Sequence, residues 1–144
     1  MKNRSLISSI ITLAIIGYVA YSNIPKYHTF TEGDFELSPN EYRFVEVRSQ
    51  SASPIRVTTE GESVYDLYLL SEVEFKKLTD WMESDDLNQP PLSCLGKWEG
   101  VNSVDEEEIM MPEGLFYLVL DNTLLGTEST EEAFAGSYRL SEKY

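Results

Sequence analysis

The chain is poor in the residues that most often carry chemistry. It holds one Cys and one His in 144 residues. A single Cys excludes an intrachain disulfide and any multi-cysteine metal site. Basic residues are scarce as well: 11 Lys+Arg stand against 25 Asp+Glu, a formal net charge of −14. Nucleic-acid binders neutralise phosphate with clustered Lys and Arg, so an acidic field of this size argues against nucleic acid as a partner. No G-x-G-x-x-G, P-loop, H-E-x-x-H, G-x-S-x-G or EF-hand pattern occurs in the chain. What the chain does not lack is apolar surface. At 42% hydrophobic and 12% aromatic residues it is too apolar for a wholly disordered acidic protein.

The apolar residues concentrate first at the N-terminus. Lys2 and Arg4 precede a charge-free run from Ser5 to Pro25, which Lys26 closes. As a helix those 21 residues reach roughly 31 Å, the thickness of a bilayer core. Ser8, Ser9 and Thr12 can bond back to helix carbonyls, and Tyr18 and Tyr21 suit the interface at the outer end. The run has no amphipathic period, so it reads as a single-pass signal-anchor rather than a core helix. The alternative is a cleaved signal peptide, for which Val19-Ala20-Tyr21-Ser22 offers a poor small-x-small site. Positive charges on the N-terminal side place the N-terminus in the cytoplasm and the rest periplasmic or extracellular, tethered to the cell (inner) membrane. The expected organisation is a tip and transmembrane anchor over 1–25, a juxtamembrane linker over 26–33, and an acidic ectodomain over 34–144. From Lys26 onward the chain carries nine Lys+Arg and all 25 acidic residues, a formal charge of −16.

The ectodomain reads as short extended segments separated by turn chemistry. Ser38-Pro39-Asn40 is a turn before a strand from Tyr42 to Arg48. Ile55 to Thr59 alternates cleanly, with Ile55 and Val57 inward. Glu60-Gly61-Glu62 predicts a tight turn, and Val64 to Leu70 a strand that is apolar except at Asp66. Ser71 with Glu74 forms a capping box, followed by Phe75, Leu78 and Met82 on one stripe with Trp81 at its edge. That predicts a helix over about 72–81. Leu87 to Leu92 is a Pro-containing loop, and Cys94 to Val101 a strand weakened by Gly96 and Gly100. Gly114, able to take a turn conformation, opens Leu115 to Leu120, which is apolar on both faces and so belongs at the centre of a covered sheet. Asp121-Asn122-Thr123 ends it, and Phe134, Gly136, Tyr138 and Leu140 alternate in a last strand. The fold class expected is all-β, an antiparallel β-sandwich of jelly-roll type with one short helix, preceded by the transmembrane helix.

The order of these segments carries a resemblance. Val64-Tyr65-Asp66-Leu67-Tyr68-Leu69-Leu70 runs into a helix containing Glu74-Phe75-Lys76-Lys77-Leu78. A polar insert follows, then Met111-Pro112-Glu113-Gly114-Leu115-Phe116-Tyr117-Leu118-Val119-Leu120-Asp121-Asn122. Over residues 35–141 the chain resembles the GOLD-like, emp24-like β-sandwich ectodomains, in which a G-x-Y-x-L-x-x-x-N pattern marks a central strand and its turn. The resemblance implies a binding or assembly module, not a catalyst.

The candidate chemical groups fit that expectation. His28, the lone imidazole, falls in the expected linker without a rigid support for a Ser–His or Cys–His pair. Cys94 has no basic or Gly-rich setting that would activate a thiol and reads as a small core residue. The run Asp105-Glu106-Glu107-Glu108 and the pair Asp85-Asp86 suit either a solvated edge or an oxygen-rich calcium loop. Nothing singles out two of the 25 acids as a catalytic pair. Trp81 belongs with the helix's apolar stripe, whereas Trp98, between Lys97 and Glu99, is the candidate partner contact. The expected function is non-enzymatic, without catalytic residues, metal or cofactor. It is protein binding or envelope assembly by a membrane-tethered domain, through another envelope or membrane protein of basic character. The alternative is Ca²⁺-dependent ligand or glycan binding through the acidic loops.

Overall fold

The computed structural model describes residues 26–123 and 130–143. In chain order the elements are β1 (Tyr27–Leu37), β2 (Tyr42–Ser49), β3 (Ser53–Ser71), α1 (Glu72–Met82), β4 (Cys94–Met111), β5 (Gly114–Asp121) and β6 (Phe134–Lys143). The six strands form one antiparallel sheet in the order β1-β6-β3-β5-β2, with β4 paired to β3 off that path. The β-rich class with one short helix is therefore as the sequence indicates.

The shape follows from β3, a strand of 19 residues. Along one edge its first half, Ile55 to Gly61, pairs with β6, and its second half, Asp66 to Ser71, pairs with β5. Along the other edge it pairs with β4. The sheet thus has two wings, β1-β6-β3 and β2-β5-β3, sharing the bent strand β3. Phe35, Leu37, Phe134 and Leu140 of one wing meet Val47, Phe116, Leu118 and Leu120 of the other in a single buried cluster. One curled sheet encloses the core, where two separate sheets were expected.

The turn expected at Glu60-Gly61-Glu62 does not form, because the strand runs through it. Gly61 pairs with Gly136 on β6, and the β4 register shifts between Glu60 and Tyr65. A Cβ on Gly136 would stand 2.5 Å from the Glu60 carbonyl and collide with the Phe35 ring. Two facing glycines let the backbones approach closely enough for the sheet to bend without breaking. The stretch expected as a linker is also strand from Tyr27 on: Tyr27 pairs with Lys143 and Gly33 with Tyr138. The expected anchor over 1–25 lies outside the described residues, and among the described residues no helix is long and apolar enough to cross a membrane.

The second face of the sheet is covered by α1. Ser71 caps it, its Oγ accepting the Glu74 N–H at 3.4 Å. Leu78 is buried against Tyr68, Leu70 and Val119, with Phe75, Trp81 and Met82 packed around them. Strand β5 is therefore buried from both sides, Leu118 and Leu120 toward the core and Val119 toward the helix. Gly114, at φ 139°, starts it as its sequence position suggests.

Candidate functional site

The helix-covered face gathers the groups that could act on something else. Glu74 does not close the capping box. Its carboxylate instead accepts from Lys77 Nζ at 2.8 Å and from the Ser93 N–H at 3.0 Å. Those contacts hold its carboxyl below the usual range, Lys77 first, and tie the loop after α1 back to the helix. With α1 so fixed, Phe75 stacks on Tyr117 of β5 with ring centroids 4.0 Å apart. Phe44 of β2 completes a trio, 4.9 Å from Phe75 and 5.8 Å from Tyr117. Phe44 remains 51% exposed, on a strand that among the described residues pairs only with β5. A solvent-facing aromatic cluster beside an open sheet edge is a surface suited to protein contact.

Further along the same face two carboxylates meet. Asp66 on β3 and Asp121 on β5 are direct cross-strand partners, and both are buried. Asp66 accepts the Gly100 N–H at 2.6 Å, which anchors β4 where Gly100 takes φ 61°. Asp121 accepts the Thr123 N–H at 2.8 Å and so closes the turn that ends β5. Burial pushes the Asp121 carboxyl up, partly offset by Thr123, and the neighbouring Asp66 adds to the rise. Burial, then Asp66, likewise pushes the Tyr68 hydroxyl well up. Both carboxylates thus accept backbone bonds that fix strand geometry. Next to them Tyr42, Trp81, Met82, Ser84, Asp86 and Thr123 line a cleft of about 320 Å³. Among the described residues, the buried Trp81 Nε1–H has no hydrogen-bond partner.

The residues singled out from the sequence are scattered. Trp98 is half-buried on β4: its ring packs over Gly96 against the core, and its Nε1–H donates to Glu107 at 2.6 Å. His28 is exposed on β1, 3.8 Å from Glu142, at the β6 end that pairs with the start of β3. Cys94 sits at the opposite end of β3, paired with Leu70 in the helix cluster, where burial pushes its thiol up. His28 and Cys94 are therefore not brought together. Asp105 to Glu108 lie exposed on β4, which among the described residues pairs only with β3, and Asp85 and Asp86 lie in the exposed loop after α1. Among the described residues no three His, Cys, Asp or Glu side chains converge in a way that could hold a metal ion.

No local sequence pattern marks the aromatic trio or the Asp66–Asp121 pair as a unit. Asp66 did carry a signal, as the one polar residue in an apolar strand. The other half of the signal is the register, which pairs it with a residue 55 positions on. No protein-family model matches the chain, and no curated protein is similar to it.

Proposed function

We propose that this chain is a non-enzymatic, membrane-tethered β-sandwich-like ectodomain that acts by protein contact, as a binding or assembly module of the cell envelope. The observation that carries the reading is the trio Phe44, Phe75 and Tyr117 beside the open edge of β2. Rigid aromatics that are part exposed and part packed are the residues that most often dominate binding energy at protein interfaces. The resemblance to GOLD-like ectodomains over residues 35–141 points the same way. A single anchor at 1–25 would hold the domain at the outer membrane surface, N-terminus cytoplasmic, where a laterally mobile partner is readily met. The formal charge of −16 beyond the anchor favours a basic partner and repels anionic headgroups within a Debye length, about 8 Å at physiological salt.

The test is affinity capture with the full-length chain from detergent-solubilised membranes, comparing wild type, Phe44→Ala and Trp98→Ala at low and high salt. Phe44→Ala should lower recovery of the specific partner by about tenfold or more, as truncation of an interface aromatic does. Recovery should also fall as salt rises. Capture indifferent to Phe44→Ala and abolished by EDTA would replace this reading with calcium-dependent ligand or glycan binding.

A further inference from the structure

One end of the sheet gathers the start of β1, the end of β6 and the start of β3. Register pairs Tyr27 with Lys143, His28 with Glu142, and Glu142 again with Ile55. Along the other edge of β3 the last residues of β4 complete the row, Ser53 pairing with Met111 and Pro54 with Met110. Tyr27 is pinned at this end. Its ring centroid lies 3.9 Å from the Arg56 guanidinium, and its hydroxyl donates to Glu108. Arg56 and Glu108 are direct partners on β3 and β4, so Tyr27 reaches across β6 and grips the two strands beyond it. The chain is therefore fixed to the sheet from Tyr27 onward.

The surface at this end departs from the acidic character of the chain. Met110 is 64% exposed, and its cross-strand partner is Pro54. Ala52 and Pro112, in the connections that enter β3 and leave β4, are exposed as well. From Ser49 to Ile55 the chain has no charged residue. On the β1–β6 side Lys26 and Lys143 are exposed, and they balance Glu113 and Glu142. In sequence, Lys26 alone separates the pinned Tyr27 from Pro25, the last residue of the charge-free run.

We infer that this end of the sheet seats directly on the bilayer surface, with Met110 in the interfacial layer. The inference rests on the anchor at 1–25 in the reading above and gives the domain a second interaction surface, for lipid. A run that ends one residue before a pinned strand leaves no slack, so the end that carries Tyr27 has to stand at the headgroups. Met110 is unbranched and polarizable, suited to an irregular apolar boundary. Lys26 and Lys143 can lay their stems along that boundary with the ammonium groups at phosphate level. The acidic excess on the rest of the domain is repelled by anionic headgroups, which confines the contact to this end. Phe44 lies five residues along β2 from Ser49, about 17 Å at the usual strand rise, which keeps the aromatic trio clear of the lipid.

The test places a nitrobenzoxadiazole probe on single cysteines in the full-length chain, with Cys94→Ala as background. One carries Met110→Cys. The control carries Ala133→Cys, exposed just ahead of β6 and about 30 Å from Lys143 along that strand. Each is reconstituted into phosphatidylcholine vesicles with and without a lipid that bears a nitroxide on its headgroup. Both labelled proteins should melt like the background, because both side chains are exposed. Nitroxide should quench the probe at 110 about threefold or more above the probe at 133, since an interfacial residue sits within roughly 5–10 Å of the headgroup boundary. An eight-residue Gly-Ser insertion between Lys26 and Tyr27 should cut the quenching at 110 by about half or more, by giving the tether slack. Equal or negligible quenching at the two positions, in protein that floats with the vesicles, would overturn the seat and leave the anchor standing. Protein that does not float with the vesicles would overturn the anchor and the seat together. Quenching at 110 unchanged by the insertion would overturn the pinned junction as its cause.

Discussion

Asp66 and Asp121 face each other across β3 and β5 at 1% and 6% exposure, so the chain tolerates two carboxylates where most cores hold none. Each is tied to a backbone N–H, Gly100 and Thr123 respectively, which recovers part of the desolvation cost. For Asp121 the balance remains unfavourable to charge, since its carboxyl lies above the ordinary carboxylate value. A folded-state pKa above the unfolded value of about 3.9 means that the native state holds the proton more tightly. The resulting stabilisation is complete below the unfolded pKa and is lost as pH rises through the folded one. Asp121→Asn keeps an oxygen for the Thr123 N–H and removes the charge. It should therefore raise the melting temperature near pH 7 by a few degrees, with the gain vanishing near pH 4. A lower melting temperature at pH 7 would show that the charge itself is needed. In sequence Asp66 stands out as a polar interruption and Asp121 as the start of a turn. That they are neighbours is a fact of register, which neither residue's local sequence contains.

Strand β5 was readable as central because Leu115 to Leu120 is apolar at consecutive positions, and the two layers that cover it account for that pattern. Leu118 is fully buried toward the core and Val119 is 1% exposed toward α1. Leu118→Asp and Val119→Asp should each unfold the domain. An unpaired buried carboxylate costs several kcal/mol against a total stability of about 5–15 kcal/mol. A native-like thermal melt for Val119→Asp alone would mean that α1 covers the sheet only loosely. Helix α1 was equally legible, from its Ser71 cap and its stripe of Phe75, Leu78 and Met82. Strand β3 was not. Its Glu-Gly-Glu step has turn composition, yet Gly61 finds Gly136 across the ladder, and a strand with partners on both edges outweighs local turn preference. The start of strand β1 has linker composition for a related reason. Tyr27 to Gly33 has little apolar pattern of its own and is ordered by pairing with β6.

Across the whole molecule, charge and apolar surface are segregated along the chain. All 25 acidic residues lie beyond the Ser5–Pro25 run, and Lys2 and Arg4 lie before it. The proposed topology is tested by reporter fusions: alkaline phosphatase at the C-terminus should be active, and a reporter that works only in the cytoplasm should be silent there. The reverse pattern would invert the orientation, and a mature N-terminus near Ser22 would favour a cleaved signal. Composition and periodicity were enough to indicate a β-rich domain with one capped helix, a buried central strand at Leu115 to Leu120 and a chain whose surface is acidic. Such features depend on neighbours within a few residues, through alternation, capping and the shape of apolar runs. The curl of one sheet around its core and the Phe44–Phe75–Tyr117 trio depend on which strands pair and in what register. Asp34 and Glu60 each look like ordinary solvated positions in their own strands, and they come to flank Ser137 because β6, from much later in the chain, pairs between β1 and β3. Pairing of that kind is settled by burial summed over all six strands at once, so it leaves no mark in any one stretch of sequence.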